Sequence, residues 1–332
     1  MIYLLANGND VIGFGHIMRS IGLAKELINR GHKVTFITKY IMACGVLEKE
    51  GMNYLSVLDD MSQNDIVDKL EKDLIIVDSY ENNDDLLARL KKRFCKIVII
   101  DDLLRDYDDV DMIVNGNIYG NELLTRQGSY YLLGPLYNMQ KPLFCNKDRV
   151  VNKVVKNILI TTGGSDTKGL LMPMIENVVS DRNYRSIHFH MPIGPGVKNK
   201  REFELIQHKI PNLTLYVACN NLASIMKKSD LAISSGGSTL YELAASGVPA
   251  IVFEVAENQR HLIHGMVESN LVIEVPLNDR FLINLRATLD EVIEDYEWRF
   301  NTSEIGRRLF DGKGLVRIAD EIEHRFSKEV RS

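Results

Sequence analysis

The sequence predicts an α/β chain of two Rossmann-like domains whose parallel sheets face each other across a cleft. Three observations predict it. Short Val-, Ile- and Leu-rich runs alternate with longer amphipathic stretches from end to end, which is the signature of βαβ units. That alternation breaks once, near the middle of the chain. The length, 332 residues, suits two domains better than one.

In the first half the strand candidates are Ile2–Ala6, Lys33–Thr38, Leu74–Asp78, Ile97–Asp101 and Met112–Asn115. Each is almost continuously apolar, as parallel strands buried on both faces require. Between the first two lies an amphipathic stretch, His16–Arg30, closed by Gly31 where a helix C-cap glycine belongs. From about Gly134 to Val154 the period is lost, and two prolines and several polar residues mark a connection. A second series follows: Asn157–Thr162, Ser186–His190, Leu213–Val217, Leu231–Ser234, Ala250–Phe253 and Leu271–Val275. The expected domains are 1–140 and 155–312, with 141–154 as linker. The amphipathic, mixed-charge stretch at 313–332 is expected to pack back on the first domain.

Composition narrows the function classes. With 45% apolar and 26% charged residues the chain can bury a sizeable core. Forty Lys+Arg stand against 45 Asp+Glu, and no basic run offers a footprint for nucleic acid. No apolar run approaches the roughly 18–20 residues of a membrane span. The start, MIYLLANGND, has no charged leader and runs straight into a strand pattern, so no signal peptide is expected. Cys44, Cys95, Cys145 and Cys219 are widely spaced and form no C-x-x-C. Free thiols and a cytoplasmic setting are the expectation.

Two glycine-rich turns follow strands. Asn7–Arg19 (NGNDVIGFGHIMR) leads from the first strand into the first helix, with Gly13 and Gly15 at the turn. It lacks the third glycine of a dinucleotide fingerprint, so no NAD is expected. His16 stands at the helix tip and Arg19 one turn later on the same face. A helix N-terminus favours the neutral imidazole, which suits a general base. Position alone leaves a packing histidine equally open. The second turn, Ser235-Gly236-Gly237, precedes a helix at Ser238–Ser246 closed by Gly247. Ser238 and Thr239 at its start suit a phosphate, and Glu242 one turn in suits a ribose diol. An ordinary capped helix would read the same. A third loop, Thr161-Thr162-Gly163-Gly164-Ser165-Asp166, follows the first strand of the second series and could meet the same phosphates.

Together these segments resemble one family. They are GFGHIMR at 13–19, KIVIIDDL at 96–103, LLGPLYNMQKPLF at 132–144, ILITTGGSD at 158–166, and SDLAISSGGSTLYELAASGVPAIVFEVAENQ at 229–259. The family is that of the UDP-2,4-diacetamido-2,4,6-trideoxy-β-L-altropyranose hydrolases of the pseudaminic acid pathway, with related spore-coat polysaccharide proteins. It looks like a metal-independent offshoot of the GT-B glycosyltransferases, notably the N-acetylglucosaminyltransferase that forms lipid II. The resemblance implies a UDP-sugar as partner, no cofactor, and water attack at the anomeric carbon. By position it makes His16 the catalytic histidine and Tyr80, in LIIVDSY, an active-site tyrosine. It assigns Gly237, Ser238 and Thr239 to the diphosphate, Glu242 to the ribose, and Asn258 and Gln259 to the sugar. Family members carry an Arg and an Asp just before G-x-G-H. Here the loop reads Ala6-Asn7-Gly8-Asn9-Asp10-Val11, without the arginine, and Asp10 stands in for the carboxylate.

Other motifs read as structural. His188-x-His190 shares one strand face but lacks a third metal ligand. Of the acidic pairs Asp59-Asp60, Asp101-Asp102 and Asp108-Asp109, only Asp101-Asp102 lies at a strand end, where a structural or sugar-facing role is expected. The functional expectation is a UDP-sugar hydrolase of surface-glycan synthesis. A GT-B transferase and a non-catalytic nucleotide-sugar-binding subunit are the alternatives.

Overall fold

The computed structural model describes residues 1–9, 13–56, 70, 73–80, 84–94, 96–123, 129–198, 200–217, 219 and 221–326. The chain forms two compact units, 1–141 with 312–332, and 142–311. Among the described residues each unit holds one sheet, and every strand pair in both sheets is parallel.

The first unit contains β1 (Ile2–Ala6), α1 (Gly15–Asn29), β2 (Val34–Thr38), α2 (Ile41–Lys49), β3 (Tyr54–Ser56), β4 (Leu74–Asp78), α3 (Asp84–Arg93), β5 (Lys96–Ile100), β6 (Met112–Asn115) and β7 (Tyr130–Leu133). Its sheet order is β3-β2-β1-β4-β5-β6-β7. Alternation along β1 explains the continuous apolar run. Ile2, Leu4 and Ala6 pack with Ile17 and Ile21 of α1, whereas Tyr3 and Leu5 pack with Leu86 and Leu90 of α3. Edge strands β3 and β7 are absent from the sequence expectation. β3 is three residues long with no buried residue, and β7 is an apolar run of four in which only Leu132 is buried.

The second unit contains β8 (Asn157–Thr161), α4 (Leu171–Met174), β9 (His188–Ile193), α5 (Lys200–Gln207), β10 (Leu213–Val217), α6 (Leu222–Lys228), β11 (Leu231–Ser235), α7 (Thr239–Ala245), β12 (Ala250–Phe253), α8 (Arg260–Glu268), β13 (Val272–Glu274), α9 (Phe281–Glu294) and α10 (Tyr296–Leu309). Its order is β10-β9-β8-β11-β12-β13. The last helix, α11 (Gly314–Phe326), returns to the first unit, where Leu315, Ile318, Ala319, Ile322 and Phe326 join the core beneath α1. Arg30 fastens it with ion pairs to Asp320 and Glu323.

Both sheets reverse direction once. In the first the chain runs β1-β2-β3 outward and then restarts at β4 on the other side of β1. In the second it runs β8-β9-β10 and restarts at β11 beside β8. A parallel sheet opens a crevice at the carboxyl ends of its strands where such a switch occurs, and ligands settle there. The expected loops after Ala6, Thr161 and Ser235 all lie at these two switch points.

His188 and His190 are hydrogen-bonded within the second sheet. His190 contacts the Tyr216 hydroxyl at 2.8 Å and Asn157 Oδ1 at 3.0 Å, and His188 contacts Thr214 Oγ1 at 2.8 Å. Burial, with the nearby His188 and Lys228 charges, lowers the His190 pKa to about 4. An unfolded histidine titrates near 6.5 (roughly), so between these values the unfolded chain binds the extra proton. The His190 contribution is therefore complete above about pH 6.5 and lost as pH falls toward about 4. Urea unfolding should show this as a loss on the order of 1–3 kcal/mol across that window. His190→Gln should flatten the slope; an equal slope in the variant would remove His190 as its source.

Candidate functional site

The first switch point gathers chemistry from four strand ends. Gly13, with φ of +77°, turns the loop back toward α1 in a conformation that other residues rarely adopt. His16 then falls in the first turn of α1, buried, with Ser20 buried one turn further along. Across the sheet, β1 pairs with β4 in register Ala6↔Asp78, which sets Asp78 beside the end of β1. His16 Nδ1 lies 2.6 Å from Asp78 Oδ1. Arg19 contacts the same carboxylate twice, Nη2 to Oδ1 at 2.5 Å and Nε to Oδ2 at 2.8 Å. The Ser20 hydroxyl donates to Oδ2 at 2.9 Å.

Asp78 is fully buried. Burial alone would raise its pKa, but the charge and hydrogen bonds of Arg19 and the His16 contact outweigh burial and hold it well below the usual carboxylate range. Opposite charges 4 Å apart gain about 4 kcal/mol at an effective dielectric of 20, before two-point hydrogen bonding is added. The ionised carboxylate then fixes the tautomer of His16. With an acceptor 2.6 Å away, Nδ1 carries the proton and donates it. Arg19 Nη2 lies 3.1 Å from that same nitrogen because both donors converge on one oxygen. In the neutral imidazole the lone pair is left on Nε2.

Tyr80 follows β4 by two residues, and its ring packs edge-on against His16 with centroids 4.2 Å apart and planes at 88°. It is half-exposed, at 44%. Its hydroxyl faces Asp102 Oδ2 at 3.4 Å. Burial and the Asp102 charge push the Tyr80 pKa up to about 12, so the phenol stays protonated. Asp102 itself accepts from Arg19 Nη1 at 2.6 Å and from Asn117 Nδ2 at 2.9 Å. The pair Asp101-Asp102 thus divides: Asp101 is buried and accepts from the Tyr107 hydroxyl and the Arg105 backbone, while Asp102 joins the cluster.

The structure therefore brings His16, Tyr80 and Arg19 together. It adds Asp78, Ser20, Asp102 and Asn117, which the sequence reading did not assign to the site. Arg19, expected at the substrate, has all three guanidinium nitrogens directed at Asp78, Asp102 and His16. Gly15 is the first residue of α1. Asp10 lies outside the described residues.

The second switch point holds the other candidates. Gly163, Gly164 and Ser165 follow β8, and Gly236, Gly237 and Ser238 follow β11, its neighbour in the sheet. The Gly164 carbonyl accepts from Gly196 N at 2.9 Å, and Gly194 packs so closely beneath it that a Cβ would sit 2.4 Å from that oxygen. Ser238 is exposed and Thr239 opens α7, where Leu240 N donates to the Gly237 carbonyl and Tyr241 N to the Ser238 carbonyl, each at 3.0 Å. Glu242 is partly buried in that first turn. Asn258 is exposed in a short turn after β12, and the Gln259 side-chain carbonyl accepts from Val255 N at 3.0 Å. Among the described residues no cluster of three His, Cys, Asp or Glu side chains could hold a metal, and no helix is long and apolar enough to cross a membrane.

Two Rossmann-like α/β domains with switch-point sites define the GT-B class of fold. The glycotransferase of kitacinnamycin superimposes with a TM-score of 0.70 at 17% identity, over 98% of this chain and 98% of that one. Residues 157–268 match the glycosyltransferase family 28 C-terminal domain. The chain is similar to the spore coat polysaccharide biosynthesis protein SpsG of Bacillus subtilis, at 25% identity over 98% of this chain and 99% of that protein. It is also similar to the pseudaminic acid cytidylyltransferase and UDP-2,4-diacetamido-2,4,6-trideoxy-β-L-altropyranose hydrolase of Helicobacter pylori. There the identity is 31% over 59% of this chain, which corresponds to 37% of that protein. The resemblance read from the motifs is thus present in full-length and partial relatives alike.

Asp78→Asn should cost the first unit about 3–5 kcal/mol, because it leaves Arg19 and His16 without their buried anion. Guanidinium unfolding at pH 7 measures this. The paired carboxylate is present above the ordinary carboxyl pKa of about 3.9 and is lost only as pH falls through its depressed native value, so the deficit should persist at pH 5. A variant as stable as the parent would show that the anion does not hold this cluster.

Proposed function

We propose that the chain is a nucleotide-sugar hydrolase that releases UDP from a UDP-linked diacetamido-trideoxy hexose in surface-glycan biosynthesis. The observation that carries this reading is the contact of His16 Nδ1 with the buried Asp78 carboxylate, which leaves Nε2 as a base beside Tyr80. In this reading Nε2 takes a proton from water as the water oxygen bonds to the anomeric carbon. The bond from that carbon to the diphosphate oxygen breaks, and UDP leaves with the electron pair. The sugar leaves with a hemiacetal hydroxyl, and attack opposite the leaving group inverts the anomeric centre.

Nucleoside diphosphate is a fair leaving group, so charge stabilisation matters more than an added acid. The N–H groups and hydroxyls of Gly237, Ser238 and Thr239, with the loop Gly163–Ser165, supply it in this proposal. Glu242 accepts the ribose hydroxyls, and Asn258 and Gln259 address the sugar. The likeness to a protein whose name includes the altropyranose hydrolase, and to a spore coat polysaccharide protein, supports the substrate class. No cofactor or metal enters the scheme.

A second reading is a glycosyltransferase, in which an acceptor hydroxyl replaces water at His16. The match of residues 157–268 to the glycosyltransferase family 28 C-terminal domain favours it.

UDP release from a panel of UDP-sugars, with chelator present and no acceptor, separates the two. Release from the 2,4-diacetamido-trideoxy sugar, falling at least about 10²-fold in His16→Ala while UDP binding persists, is the expected outcome. Bound UDP-sugar that is never cleaved without an acceptor would contradict hydrolysis and favour transfer.

A further inference from the structure

Asp102 lies two residues beyond the end of β5 and draws together groups from three other parts of the first unit. Its Oδ2 accepts from Arg19 of α1 and faces the Tyr80 hydroxyl after β4. Its Oδ1 accepts from Asn117 after β6, and its backbone carbonyl accepts from the Tyr119 hydroxyl at 3.1 Å. The side chain is 15% exposed, so solvent screens these contacts only in part.

Among the described residues, the charged side chains hydrogen-bonded into the His16 cluster are Arg19, Asp78 and Asp102, with the Arg105 guanidinium 3.3 Å from the Tyr80 carbonyl and Asp101 next to Asp102 in the chain. Arg19 is cationic, and Asp78 and Asp102 are anionic. Tyr80 and Tyr119 are neutral phenols, both held protonated by burial and the Asp102 charge. Two carboxylates, Asp78 and Asp102, thus share the Arg19 guanidinium beside the imidazole. Once Nε2 takes a proton, both carboxylates act on the added charge. Without Asp102 the imidazolium would share one carboxylate with Arg19, whose Nη2 lies only 3.1 Å away.

We propose that Asp102 is a positioning residue for proton uptake by His16, acting through Arg19. It draws one arm of the guanidinium toward β5 and supplies the second negative charge, which leaves the Asp78 charge available to the imidazolium. This rests on the reading of His16 as the base. Asp102 is not required to touch the sugar.

Asp102→Asn keeps the size and one acceptor oxygen but removes the charge. Its kcat for UDP release should fall on the order of 10–100-fold with KM within about threefold of the parent. The acid limb of its kcat–pH profile should move to lower pH, because a protonated His16 loses a stabilising anion. Asp102→Glu, which restores the charge, should recover part of kcat and the parental limb. This second variant also serves if the asparagine variant is poorly folded, as judged by its urea midpoint. Unchanged kcat, a change confined to KM, or an unshifted limb with no recovery by glutamate would each overturn the proposal. His16→Ala is the control: turnover retained there defeats the base reading itself. A dead His16→Ala beside a normal Asp102→Asn defeats only the role of Asp102.

Discussion

The first unit's site depends on one buried carboxylate. Asp78 has no solvent, so it can remain ionised only because Arg19, Ser20 and His16 converge on it. That need couples the first two turns of α1 to the end of β4. The same convergence fixes the imidazole tautomer and holds Arg19 as a bridge to Asp102. A buried ion pair is weak evidence for stability, because an apolar replacement of similar volume is often neutral or better. Its arrangement is what the proposed proton transfer requires.

Parallel topology explains why the candidate residues collect where they do. Each sheet reverses once, between β1 and β4 and between β8 and β11, and every loop that carries a candidate residue except the Asn258–Gln259 turn ends at one of these points or at its neighbouring strand. The apolar interior strands give rigid anchors, with Leu4, Leu5, Ile76 and Val77 of the first sheet fully excluded from solvent. Rigid strand ends are what allow His16, Tyr80 and Asp102, distant in sequence, to keep contact distances near hydrogen-bond length.

Much of this was legible in the sequence because burial on both faces writes a continuous apolar run, and all eleven expected strands are present. The edge strands Tyr54–Ser56 and Tyr130–Leu133 were not legible, since an edge needs neither length nor full burial. His16 and Tyr80 were singled out through motif context, and the structure places their rings in contact. Asp78 was in view as the last residue of a strand, but its partnership depends on register, Ala6↔Asp78, across 62 residues from His16, and no local pattern encodes that. The division of Asp101 from Asp102 was no more legible, because both lie beyond the end of β5, where strand alternation no longer applies. Arg19 shows the opposite limit: its place beside His16 is a matter of helical period, whereas its partners belong to β4 and β5.

Hydrolysis in water enriched with oxygen-18 tests the central claim most directly. Attack at the anomeric carbon, aided by His16, predicts that the label enters the hemiacetal hydroxyl of the released sugar and that UDP carries none. Label in the terminal phosphate of UDP would mean that water attacks phosphorus, and the account of His16, Asp78 and the sugar-side site would be contradicted.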